Sequence, residues 1–206
     1  MEKSDFDLRL LQCENDDEIL DFSRKYILHG IPYIFRDRED EYFEFRNRIS
    51  KHFKIDYYQV NIVGSAKLGF SFRKGTEFSY ESDIDVAVVN ETLFDKYLKY
   101  IREFQYNLDR STERMDTNEY KRYNRFLRYI AKGWMRPDLL PNQIGDTDIK
   151  AEWFDFFNGI SYDKSEVGNY KVNAGVYKSY DYLEYYNIIG LKDYLDVLRM
   201  EEIENE

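Results

Sequence analysis

The chain has 206 residues, a length that suits one domain or one domain with a small appended subdomain. With 43% hydrophobic and 18% aromatic residues it can bury a full core, so disorder is expected only at the closing EEIENE and the first few residues. A net charge of −10 argues against broad electrostatic binding of duplex nucleic acid, which needs many Lys and Arg on phosphates.

In chain order, NDDEILDFSRKYILHG predicts a helix capped by Asn15 or Asp16 and ended by Gly30, with Ile19, Phe22, Tyr26 and Ile27 at helical spacing. A second helix is predicted from about Glu39 to Phe53, with Tyr42, Phe45, Ile49 and Phe53 on one side. Tyr57 to Val63, β-branched and aromatic, predicts a strand that stops at Gly64, and IDVAVV predicts another. From Glu91 the period turns helical through Leu93, Tyr97, Leu98, Ile101 and Phe104. A further helix is predicted near Asn118 to Lys132. GWMRPDLLPNQIGDTD reads as the longest irregular stretch, AEWFDFF as a short helix and NYKVNAGVYK as a late strand. A final helix is expected from about Tyr180 to Arg199. Strands separated by helices predict an α/β or α+β chain, with several helices around a small sheet.

No run of 18 apolar residues occurs, so no membrane insertion is expected. The opening MEKSDFDLRL lacks the apolar segment of a signal peptide, and Cys13 stands alone; both suit a reducing cytoplasm.

The chemistry-bearing stretch is SDIDVAVV, Ser82 to Val89. Alternation along a strand puts Ile84, Val86 and Val88 on one face and Asp83, Asp85 and Ala87 on the other. The two carboxylates then lie roughly 7 Å apart along the strand, where like charges are costly unless a cation or a proton neutralises them. A hard divalent ion such as Mg²⁺ meets that need, because it takes carboxylate oxygens and leaves room for water and phosphate. The plainer reading is a pair of solvated acids. Upstream, Gly64-Ser65 ends a strand, where a backbone amide and a small hydroxyl can approach a phosphate; alone, such a pair is an ordinary turn.

Together and in this order, VNIVGS (Val60 to Ser65) and SDIDVAVV resemble the signature of nucleotidyltransferases of the DNA polymerase β superfamily, near its minimal prokaryotic members. The resemblance is strong over about thirty residues. It implies a small mixed sheet surrounded by helices, as one domain over residues 1–206, with helical segments at about 1–55 and about 179–203. It further implies that Asp83 and Asp85 hold two Mg²⁺ ions, with Mn²⁺ able to serve in their place. Gly64 and Ser65 would grip the outer phosphates of a nucleoside triphosphate, and Ser82 would orient Asp83 or cap the start of the strand. An NMP or dNMP unit would pass to a hydroxyl on a protein, a short oligonucleotide or an RNA end, with release of pyrophosphate. Small proteins of this kind serve in antiphage defence or toxin–antitoxin modules. The alternative is a catalytically silent nucleotide-binding protein that regulates a partner protein.

Two departures stand out. The spacer AKLGFSFRKGTEFSYE is longer than in the most compact members and is read as a flap. Active members bring a third carboxylate from a later strand, whereas the late strand here offers Asn173; Asp138, Asp181 and Glu184 are the remaining candidates. Lys67, with Arg73 and Lys74, is a candidate for the triphosphate, against the plain reading of a solvated spacer. Lys178 and Ser179, at the start of the last helix, match a place where similar enzymes contact outer phosphates; the plain reading is a cap. The second Asp-x-Asp, Asp146 and Asp148, reads as a helix cap. His29, His52 and Cys13 are assigned no chemistry. Five tyrosines from Tyr177 to Tyr186 are candidates to stack a base, line an acceptor channel or supply a modified hydroxyl.

Overall fold

The structure, a computed structural model, describes residues 1–140 and 148–205. Eight α-helices and six strands are described: α1 (Lys3–Leu11), α2 (Asp16–Phe22), α3 (Glu39–Phe53), β1 (Val60–Val63), α4 (Ser65–Leu68), β2 (Phe70–Ser71), β3 (Thr76–Glu77), β4 (Ile84–Val89), α5 (Glu91–Asp109), α6 (Thr117–Ala131), β5 (Trp134–Met135), α7 (Asp148–Gly159), β6 (Val172–Tyr177) and α8 (Tyr180–Asn205). The fold is mixed α+β, with a four-stranded mixed sheet in the order β1-β4-β6-β5 and a small β2–β3 hairpin. β4 runs antiparallel to β1 and parallel to β6, while β5 closes the edge antiparallel to β6. Among the described residues, no helix is long and apolar enough to cross a membrane.

Local chemistry accounts for most element starts. The Asn15 side chain accepts the Glu18 amide at 3.0 Å, and the next residues, Asp16, Asp17 and Glu18, suit the positive end of α2. The helix continues beyond Phe22 as a π-helical turn, Ser23–Leu28. Asn90 caps α5 by accepting the Leu93 amide at 2.7 Å, and Asp116 with Glu119 forms a capping box on α6.

Four expectations change. The predicted strand from Tyr57 begins only at Val60, because Asp56 and Gln59 form a capping box that turns Tyr57–Gln59 into a 3-10 segment. The opening residues form α1, held by Phe6 and Leu10, which are fully buried one helical turn apart. At the other end, α8 continues through EEIEN to Asn205. Within the stretch read as irregular, Trp134 and Met135 pair with Tyr177 and Val176 as β5. Asp146 is outside the described residues, so the capping expectation for Asp146 and Asp148 lies beyond what the structure describes.

The sheet separates two environments. Ile84, Val86 and Val88 of β4, with Val60, Ile62, Val172, Ala174 and Val176, enter the main core beneath α3, α5, α6 and α7. On the opposite face Ala87, Val89 and Tyr177 are buried under Leu183 of α8. β4 is therefore apolar on both faces over its second half and acidic on one face at its start. A further cluster packs α1 and α2 against Leu68, Phe70 and the second half of α8. The spacer is thus anchored by its own apolar residues.

Candidate active site

The register sets the site. Val63, Asp85 and Asn173 are paired across β1, β4 and β6, so their side chains share the face opposite the main core. The next row on that face is Asn61, Ala87 and Gly175, and the small residues in β4 and β6 leave a depression. It opens into a cleft of about 430 Å³, lined by Gly64, Ser65, Asp85 and Asn173 at one side, Arg73 and Lys74 from the hairpin, Trp134 and Arg136 beyond β5, and Tyr186 and Asn187 of α8. That volume is in the range of small-molecule sites.

Gly64 and Asp85 meet directly. Gly64 has φ +68° and ψ −149°, a conformation that side-chain-bearing residues rarely adopt, and a Cβ there would stand 3.1 Å from Asp85 Oδ2. The turn and the second aspartate, twenty-one positions apart, are therefore in contact. Ser65 opens α4 and lines the same cleft. Asp83, just before β4, is exposed, and its Oδ2 accepts from Asn173 Nδ2 at 2.7 Å. Ser82 holds the preceding turn, its Oγ accepting the Ser79 amide at 3.0 Å.

Asp85 is exposed to solvent at the cleft mouth, with protein packed around the base of its side chain. Burial first, and the neighbouring Asp83 charge second, push its pKa above the usual carboxylate range, while Arg136 and Lys74 pull the other way. Negative charge here is only partly compensated by the protein. A divalent cation could supply the missing charge, since two carboxylates with phosphate and water oxygens would make an ordinary Mg²⁺ environment. The Asn173 amide adds a carbonyl oxygen of the kind hard cations accept. Among the described residues no group of three or more His, Cys, Asp or Glu converges on one point.

The other candidates are dispersed. Lys67 is buried, and its Nζ donates to the His29 and Gly30 carbonyls, so it anchors the loop after α2 and does not line the cleft. Burial, and then Arg46, lower its pKa to about 8. Lys178 and Ser179 follow the far end of β6, about 16 Å along the strand from Asn173. Lys178 pairs with Asp95 at 3.1 Å and Glu91 at 3.6 Å. The expected phosphate contacts from these three residues thus have no geometric support: parallel pairing of β4 and β6 places Asp83 and Lys178 at opposite ends of the sheet. Among the candidate acids, Glu184 forms a two-pronged pair with Arg24, and Asp138 one with Arg136. Asp181 lies in the first turn of α8, beyond the Lys178 end of β6. Of the five tyrosines, Tyr177 and Tyr186 line the cleft.

Several cleft residues escaped the sequence reading. Arg136 follows a two-residue strand too short to show a period. Arg73, by contrast already a candidate from the sequence, lies across Gly190 of α8, where a Cβ would meet its guanidinium at 1.8 Å. Trp134 Nε1 and Asn187 Nδ2 are buried without a hydrogen-bond partner among the described residues, although both residues line the cleft. Such donors are costly unless a bound molecule satisfies them. The one sequence sign was Asn187 itself, which interrupts the apolar series Leu183, Asn187, Leu191 at helical spacing. Comparison with protein-family models, curated proteins and solved structures finds no match to this chain.

Proposed function

We propose that the chain is a metal-dependent nucleotidyltransferase with a polymerase β-like fold, moving an NMP or dNMP unit from a nucleoside triphosphate to a hydroxyl. The observation that carries the reading is the convergence of Asp85 and the Gly64-Ser65 turn on one cleft that also holds Arg73, Lys74 and Arg136, with Asp83 hydrogen-bonded to the cleft residue Asn173. Mg²⁺ held by Asp83 and Asp85 would neutralise phosphate charge and make an acceptor hydroxyl more acidic. Arg73, Lys74 and Arg136 would bind and orient the triphosphate, and Ser65 would hydrogen-bond an outer phosphate. Trp134, Tyr177 and Tyr186 offer aromatic surface to a base, and the unpartnered Asn187 and Trp134 donors suit its acceptor atoms. In the transfer, the acceptor oxygen bonds the α-phosphorus, and the bond from that phosphorus to the bridging oxygen breaks. Pyrophosphate leaves with the electron pair, and the hydroxyl proton passes to solvent or to an Asp carboxylate.

Asn173 favours a second reading. It occupies the register position beside Asp85 where a third carboxylate is expected, and it binds Asp83. A silent nucleotide-binding protein that regulates a partner would keep the cleft and lose the acid. Incubation with each α-labelled NTP and dNTP, with Mg²⁺ or Mn²⁺, separates the two. Label transferred to an acceptor, and lost in Asp83→Ala with the fold intact, supports the transferase. Saturable binding without turnover supports the silent protein, and absence of any nucleotide binding overturns both.

A further inference from the structure

Charge is unevenly distributed in this acidic chain. Between Arg110 and Arg136, eight Lys and Arg stand against three Asp and Glu, although the whole chain carries −10. Most of this excess lies on α6. Lys121, Arg125, Arg128 and Lys132, spaced i, i+4, i+7 and i+11, form one stripe about 16 Å long, and all four are exposed. Among the described residues, no side-chain hydrogen bond or ion pair reaches any of the four. The acid of the helix, Glu119, sits in the first turn and closes the capping box with Asp116. Like charges at i, i+4 weaken a helix, and an ordinary solvated face mixes both signs. This face does not.

The stripe also leads somewhere. Tyr129, in the last turn of α6, stacks on Trp134 at 4.4 Å between ring centroids with 26° between planes. Trp134 in turn lies nearly parallel to Tyr177 at 6.0 Å and 19°. Both Trp134 and Tyr177 line the cleft, and Arg136, four residues beyond Lys132, reaches the surroundings of Asp85. A line of cations therefore joins a column of near-parallel aromatic rings that ends in the cleft.

We infer that α6 is a binding track for single-stranded nucleic acid, with the phosphates on Lys121, Arg125, Arg128 and Lys132 and one end of the strand directed past Trp134 into the cleft. Cations following a backbone beside aromatic stacking surface are how proteins hold single strands without reading sequence. An acidic polypeptide would satisfy the charges but make no use of the half-exposed rings of Tyr129 and Trp134 beside the stripe, behind which Tyr177 is buried. The acidic remainder of the molecule repels a long polyanion and confines contact to a short segment. Binding to the stripe stands independently of the proposed activity. Identification of the directed end as the hydroxyl acceptor rests on that reading.

The test is fluorescence anisotropy of the full chain with labelled single-stranded RNA and DNA ten-mers, in EDTA to prevent turnover, from 50 to 200 mM salt. The wild type should bind, with RNA or DNA preference identifying the sugar it accepts. The triple variants K121E/R125E/R128E and K121Q/R125Q/R128Q should bind at least tenfold more weakly, with the log–log salt slope reduced by about 2, or ~0.7 per lost cation. Circular dichroism should show both variants folded, and labelled NTP should bind them as it binds the wild type. Absence of binding at 50 mM salt, equal binding by both variants, or equally good competition by poly-glutamate at matched charge would overturn the track. Transfer of label to a small-molecule or protein acceptor by the triple variants would leave the transferase reading intact. Oligonucleotide binding without turnover would leave the track intact.

Discussion

Asp85 combines partial burial with a like charge two residues away, and both effects act in the same direction on its carboxyl. An acid whose folded pKa lies above its unfolded value stabilises the fold only while protonated. That contribution is complete below the unfolded value near 3.8 and is lost as pH rises through the folded pKa. At pH 7 the ionised group therefore costs stability. Asp85→Asn, which keeps the shape beside Gly64, should raise Tm at pH 7, and the gain should shrink towards zero below about pH 4. Added Mg²⁺ should raise the wild-type Tm and have little effect on the variant, because a ligand selective for the folded state stabilises it by mass action. Thermal scans at pH 4 and pH 7, with and without Mg²⁺, check this. Equal Mg²⁺ responses would remove Asp85 from the metal site.

At the scale of elements, the turn from β1 into α4 holds the two halves of the site together. Its geometry depends on Gly64 for two reasons: a backbone conformation restricted to glycine, and the approach of Asp85 Oδ2. Gly64→Ala should cost roughly 1–3 kcal/mol, the range for strained backbone at such positions. That corresponds to about 2–4 °C in Tm per kcal/mol for a chain of this size. Gly75 in the hairpin also has a positive φ, but a Cβ there meets nothing within 4 Å. Gly75→Ala should therefore be milder than Gly64→Ala and should leave the Mg²⁺-induced rise in Tm unchanged, whereas Gly64→Ala should reduce that rise. Melting curves of the two variants side by side make the comparison. The turn residues and the aspartates were both legible in the sequence, because a strand-ending glycine and the two-residue alternation of β4 are local features. Their contact was not, since it depends on the antiparallel register of β1 against β4.

Across the whole molecule, the sheet core and the α1–α2 cluster meet through the spacer and α8. Leu68 and Phe70 insert into the cluster with Phe6, Leu10 and Leu191, while Arg73 and Lys74, a few residues on, face the cleft. The N-terminal helix is thereby part of what positions the cationic wall. Leu10→Ala, at a fully buried position, should destabilise the chain by roughly 2–5 kcal/mol, the range for large-to-small core changes. Chemical denaturation followed by tryptophan fluorescence measures it. A loss below about 1 kcal/mol would mark α1 as an appendage outside the cooperative unit.

By itself the sequence determined the helix periods, a cap at Asn15 or Asp16, the two-faced character of β4 and the candidate pair Asp83 and Asp85. Each follows from backbone geometry and neighbours a few residues away. Tertiary structure alone decided that Asn173 lies beside Asp85 and binds Asp83, that Lys67 turns to the His29 loop, and that Lys178 and Ser179 end up beyond the far end of β6. It also brought Arg136, Trp134 and Asn187 to the cleft. These placements depend on which strands pair, in which direction and in which register, and that choice is made by burial of side chains distant in sequence.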